Sequence, residues 1–167
     1  NTLLINLNNL LFAFTSSIIF ALLLNEMKHK LYRKVVQTVS YLPHFISTVV
    51  VCGLVTNFTR TNGGIINDLI AMLGGERISF LNRAEYFRPI YVISEIWQHM
   101  GWDAIIYIAA LLSIEPQLYE AASIEGANRF QKMLYVTLPG IAPTITIMLI
   151  MRIGHLMSLG YEKVLLL

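Results

Sequence analysis

Residues 10–24 read Leu10-Leu11-Phe12-Ala13-Phe14-Thr15-Ser16-Ser17-Ile18-Ile19-Phe20-Ala21-Leu22-Leu23-Leu24, with no charged side chain. From Ile18 to Leu24 apolar and polar residues do not alternate, as they would in the roughly ten-residue strands of a membrane barrel. Lipid offers no partner to backbone N–H and C=O groups, so such a run is expected to be helical. Working outward, the same pattern recurs. Residues 1–25 and 35–59 contain no Asp, Glu, Lys or Arg, residues 89–114 only Glu95 and Asp103, and residues 133–161 only Arg152. A bilayer crossing takes about 20 mostly apolar residues. The four runs therefore predict spanning helices at about 4–24, 36–59, 90–113 and 139–160, with slack for tilt.

Composition agrees. Of 167 residues, 56% are hydrophobic and 13% charged, and mean hydropathy is +0.62. Soluble domains carry about 25% charged residues. A chain this apolar is not disordered. A net charge of +2 offers no broad basic face for nucleic acid, and the single Cys52 excludes a disulfide framework or a cysteine zinc site. The fold class expected is an all-α integral membrane protein. Asn1, Asn6, Asn8 and Asn9 make the start of the first run polar, and it has neither the basic flank nor the cleavage site of a signal peptide. The first residue is not Met, and residues 164–167 are apolar. The expectation is that 1–167 is a fragment of one transmembrane domain, with at least one further helix at each end.

Lys28, Lys30, Arg33 and Lys34 follow the first run closely, and short Lys/Arg-rich loops stay cytoplasmic. The first helix then runs inward and the second outward. Residues 60–88 lie outside, holding turn residues Asn62-Gly63-Gly64 and Gly74-Gly75 around an apolar stretch that suits a short interfacial helix. The third helix returns inward and places 115–138 in the cytoplasm. Pro89 and Pro139 fall where helices should begin. Pro43 and Pro143 should kink the second and fourth helices or delay their starts.

Residues 115–139 read Glu115-Pro116-Gln117-Leu118-Tyr119-Glu120-Ala121-Ala122-Ser123-Ile124-Glu125-Gly126-Ala127-Asn128-Arg129-Phe130-Gln131-Lys132-Met133-Leu134-Tyr135-Val136-Thr137-Leu138-Pro139. Pro116 suits a helix start, and Ala122 and Gly126, four apart, would leave one helix face bare. Gly126 is also suited to ending the helix. A second amphipathic piece, about 128–136, leads into Pro139. The expected product is a short helix–turn–helix joined to two spanning helices, a suitable handle for moving them.

This stretch resembles the EAA loop of permease subunits of binding-protein-dependent ABC importers. Glu120-Ala121-Ala122, Gly126 and Leu138-Pro139 keep the family spacing, with Val136 in place of Ile. Ile108-Ala109-Ala110-Leu111-Leu112 and Glu125-Gly126-Ala127 are similar to the carbohydrate-uptake branch. The resemblance implies the helical bundle of a type I importer permease, in a prokaryotic plasma or inner membrane, carrying a sugar or oligosaccharide. It implies that Glu120, Ala121, Ala122, Gly126, Leu138 and Pro139 form a coupling helix that docks on the ATPase. The implied partners are two ATPase subunits, which hold ATP and magnesium, a second permease subunit, identical or homologous, and an extracytoplasmic solute-binding protein. The chain itself is expected to hold no catalytic residue, metal or cofactor. It lacks a phosphate-binding G-x-x-x-x-G-K-[ST] loop and the protease and hydrolase motifs, and His29, His44, His99 and His155 are scattered.

Intramembrane charges are costly and face a cavity or a partner. Glu95, His99 and Asp103 recur every four residues and form one polar stripe. Asp103 lies about 20 Å from Pro89 along a helix, and Arg152 about 20 Å from Pro139. Both therefore fall near mid-membrane, as a structural pair or as part of a substrate path with Glu95. Two rival readings are a proton-coupled secondary transporter using Glu95 and Asp103, and a membrane assembly or sensor protein.

Overall fold

The computed structural model describes residues 2–155 and 161–167, and every regular element among them is helical. In chain order these are α1 (Thr2–Asn8), α2 (Thr15–Glu26), α3 (Lys30–Tyr41), α4 (Thr48–Thr59), α5 (Ile65–Met72), α6 (Ala84–Leu112), α7 (Pro116–Ile124), α8 (Arg129–Lys132), α9 (Leu138–Gly154) and α10 (Tyr161–Leu166). A π-helical segment, Asn9–Phe14, joins α1 to α2, and another, Met133–Thr137, joins α8 to α9.

These joins make two continuous rods, Leu4–Glu26 and Arg129–Gly154, that are long and apolar enough to cross a membrane. The second expected span is broken: Lys30–Phe45 and Thr48–Thr59 meet at 100° and count as a third crossing if they form one. Pro43 lies in the 3₁₀ turn Leu42–Phe45 at this break, so the expected kink is there and is sharp. The third expected span is α6, 29 residues long, or about 44 Å. It is long enough to cross, but Glu95, Gln98, His99 and Asp103 along its middle leave it less apolar than the other rods.

Two other prolines sit differently from expectation. Pro89 lies inside α6 rather than at its start, and Pro143 lies inside α9 with no break in the helix. Pro139 lies in the first turn of α9, as expected, but α9 continues a π segment in which Leu138 N–H bonds to Met133 O, so the rod runs on across it. The wider π turn absorbs the lost proline donor. Residues 156–160 of the expected fourth span lie outside the described residues.

The core is where α2, α6 and α9 meet: Ala21 and Leu24 pack against Ala104, Tyr107, Ile108, Leu111 and Ile141. Ala21 and Ala104 are fully buried, and small side chains let membrane helices approach closely. Phe14 meets Tyr107 edge-on, with ring centroids 6.2 Å apart. The segment from α3 to the α3–α4 break is held against α6 at three places. Gln98 Nε2 donates to Ile46 O at 3.0 Å. Gly101 lies so close to α3 that a Cβ there would be 2.1 Å from Ser40 O. His44 stacks on Trp102, centroids 4.4 Å apart.

The expected short helix in 60–88 is α5, framed by Gly63 and Gly74 at φ +76° and +83°. Asn67, fully buried, organises this loop. Its Nδ2 donates to Arg60 O and Ile78 O at 2.9 Å each, and its Oδ1 accepts from Ile78 N at 2.8 Å.

Candidate functional site

Two places carry chemistry. The first is an open-sided cavity of about 400 Å³ enclosed by the first rod, α6 and α9. Asn6, Asn9, Ser17, Tyr91, Tyr107 and His155 line it beside Glu95, Asp103 and Arg152. Of the polar stripe of α6, Glu95 and Asp103 open into this cavity, whereas His99 packs against the His44 ring, centroids 5.3 Å apart; α9 brings Arg152 to the cavity. Arg152 donates to Asp103 Oδ2 at 3.2 Å. Glu95 accepts from Lys163 Nζ at 2.7 Å and lies 3.4 Å from His99 Nδ1. Lys163 also lies over the Tyr91 ring, 5.0 Å from its centroid. Two acids meet two cations, so the charges balance.

Sequence reading named Glu95, Asp103 and Arg152 for this region but missed Lys163, which lies next to the apolar terminal residues. It also missed Asn6 and Asn9, taken as the polar edge of the first run. A recognisable trace existed: Asn6 and Asn9 are three apart, one helical face in an otherwise apolar run. Asn9 opens the π segment and its Oδ1 is buried with no hydrogen bond from the described residues. π segments are frequent at functional sites, because the inserted residue re-aims its neighbours.

The second place is the helix–turn–helix at 115–138. Glu115 occupies the N-cap position of α7 without a side-chain capping bond, and Pro116 is the first helical residue. Ala127 N bonds to Ala122 O at 2.9 Å and Gly126 N to Ser123 O at 3.1 Å, with Gly126 at φ +81°. This is a Schellman ending, and Gly126 is the residue in the left-handed conformation. Asn128 then opens α8 with a reciprocal capping box to Gln131. Lys132 Nζ donates to Ser123 Oγ at 2.7 Å, and the Tyr119 and Thr137 hydroxyls share a hydrogen bond of 3.0 Å. The turn is thus clamped to the start of the second rod.

One detail differs from the sequence reading. Gly126 lies beyond the helix end, so it does not share a helical face with Ala122. Both still line one shallow concavity, with Leu118, Ala121, Glu125 and Tyr135. Glu120 is the fifth residue of α7, and it is exposed. Among the described residues it has no hydrogen-bond or ion-pair partner. Leu118, Ile124, Phe130 and Tyr135 of the same helix–turn–helix are also exposed. Leu138 and Pro139 belong to the second rod, Leu138 half-buried and Pro139 exposed.

Among the described residues the chain is all-helical, with apolar rods, a charge-balanced polar cavity between them and an exposed helix–turn–helix, which is the architecture of a helical membrane protein. Residues 13–160 match the family of the binding-protein-dependent transport system inner membrane component. The chain belongs to that family.

It is 47% identical over 167 residues to the polygalacturonan/rhamnogalacturonan transport system permease protein YteP of Bacillus subtilis, covering 100% of this chain and 52% of the relative. It is 45% identical over 164 residues to Protein LplB of the same organism, covering 98% and 52%. It is 34% identical over 139 residues to the arabinooligosaccharides transport system permease protein AraP of Halalkalibacterium halodurans, covering 81% and 43%. The crystal structure of a bacterial ABC transporter involved in the import of the acidic polysaccharide alginate superimposes with a TM-score of 0.97 at 47% identity. That match covers 100% of this chain and 58% of the other. The chain spans about half the length of the relatives it matches.

Proposed function

We propose that the chain is part of the permease subunit of an ATP-driven importer in a prokaryotic plasma or inner membrane, and that the transported solute is a sugar or oligosaccharide. The saccharides in the names of its relatives support that substrate class. One observation carries the mechanism: the second rod has both sites on it. Near its start, Lys132 and Thr137 are clamped to α7, and near its end Arg152 reaches the cavity. Arg129–Gly154 is 26 residues, about 39 Å of helix. In this reading an ATPase subunit grips the exposed concavity at Ala121, Ala122 and Gly126, and Glu120 offers it an unpaired carboxylate. The rod carries the movement to Arg152, where Glu95, Asp103, Asn6 and Asn9 line the solute path.

ATP and magnesium belong, in this proposal, to two partner ATPase subunits. A second permease subunit completes the membrane domain, and a solute-binding protein delivers the sugar; the alginate system was crystallised with a pentasaccharide-bound periplasmic protein. The family membership favours this reading over a proton-coupled transporter using Glu95 and Asp103. The test is co-purification of the full-length permease in detergent. An ATPase subunit is expected to come down with it and to hydrolyse ATP faster when loaded binding protein is added. A permease that comes down without an ATPase, yet takes up sugar on a proton gradient, overturns the reading.

A further inference from the structure

Helix α3 is the most strongly amphipathic of the described helices. Leu31, Tyr32, Val35, Val39 and Leu42 form one exposed apolar strip along it. Lys30, Arg33 and Lys34 occupy the other side, with Lys28 just before, and Lys30–Tyr41 contains no acid. Between the two sides Val36 packs on the core and Ser40 meets Gly101. Among the described residues none of these four cations has an ion-pair or hydrogen-bond partner.

We propose that this helix is a docking surface for anionic phospholipid headgroups of the cytoplasmic leaflet. The inference rests on reading the chain as a permease with residues 28–34 on the cytoplasmic side. Charge complementarity selects the headgroup. The strip selects a membrane over a soluble anion, because a free phosphate ion gains nothing from exposed Leu31, Val35 and Leu42. A helix with one apolar and one basic side lies at the membrane boundary, its apolar side among acyl chains and its long cationic side chains reaching the phosphates. The break between α3 and α4 frees α3 from the direction of α4, which such a placement requires. Each basic residue near an anionic surface contributes about a five-fold preference, attenuated by salt.

The experiment uses the full-length permease with its partner subunits, equilibrated in mixed phosphatidylcholine and phosphatidylglycerol micelles and analysed by native mass spectrometry. Wild type is expected to retain phosphatidylglycerol preferentially, less so as salt rises. The triple variant Lys30→Gln, Arg33→Gln, Lys34→Gln is expected to lose about ten-fold or more of that preference. The charge-keeping pair Lys30→Arg, Lys34→Arg is expected to retain it. A preference that ignores salt, or survives in the triple variant, overturns the proposal. So does a triple variant that keeps phosphatidylglycerol but sheds its ATPase subunits, since the basic side would then meet an acidic protein surface. Lipid retention is read without transport, so failure of the permease reading shows separately, as absence of ATPase subunits from the wild-type complex.

Discussion

Arg152 and Asp103, 49 positions apart in sequence, join α9 to α6 through one contact of 3.2 Å. Their side chains are 41% and 29% exposed. The cost of stranding either charge is therefore below the ~2.5–3.5 kcal/mol of a lipid-buried charge. Asp103→Ala and Arg152→Ala are each expected to destabilise the permease by about 1–2 kcal/mol, because each leaves a partner uncompensated. The double Ala variant should be more stable than either single. Thermal unfolding in detergent measures this, and a double variant whose loss equals the sum of the singles means the pair is not coupled. Sugar uptake should fall in all three variants if both residues line the path.

Lys163 and Glu95 make a contrasting pair. At 2.7 Å, with Lys163 only 6% and Glu95 20% exposed, they are better shielded than Asp103 and Arg152. Lys163→Met keeps the apolar stem but strands Glu95, and a loss of about 3 kcal/mol is expected. Adding Glu95→Gln should restore most of it, because the remaining amide is neutral. Equal loss in Lys163→Met and Arg152→Ala, measured by the same unfolding assay, would count against burial as the controlling term.

Much of this architecture was legible because it depends on local chemistry. Gly63, Gly74 and Gly126 marked turns that require positive φ, and the apolar stretch between the first two became α5. Pro43 marked the break in the second run. Pro139 marked the start of α9, whereas Pro89 was misleading: proline is tolerated in a first turn, yet α6 begins five residues before it. The π segments depend on tertiary context: Thr137, at the end of one, bonds to Tyr119 across the turn. Lys163 was hidden for the same reason. Nothing near it in sequence indicates that Glu95, 68 residues away, is its partner.

Gly101 is the tightest approach in the described fold whose neighbour is another helix. Its absent Cβ would fall 2.1 Å from Ser40 O and 2.5 Å from Ser40 C, backbone atoms that move only if α3 moves. Gly101→Ala should therefore displace α3 from α6 and cost about 1–3 kcal/mol, despite alanine's higher helix propensity. Hydrogen exchange should rise in 36–47, where the Gln98 to Ile46 bond lies. Unchanged exchange there would mean that the two helices do not depend on this contact.

Gly126 separates two explanations of one position. Nothing lies within 4 Å of a Cβ placed there, so no clash within the chain requires glycine, whereas φ +81° does. A non-glycine residue in that conformation costs about 1–2 kcal/mol, and asparagine tolerates it best. If Gly126 only ends α7, Gly126→Asn should be nearly normal and Gly126→Leu should fray the turn at Ala127 and Asn128. If the concavity also receives an ATPase subunit, Gly126→Leu should abolish substrate-stimulated ATP hydrolysis while membrane insertion persists. Gly126→Asn, smaller and less strained, should then keep an intermediate rate. Double variants with Tyr135→Ala, which opens the same concavity, extend the comparison. Partial recovery of hydrolysis in Gly126→Leu with Tyr135→Ala points to steric docking. Transport at the wild-type rate in Gly126→Leu removes the coupling role from this turn.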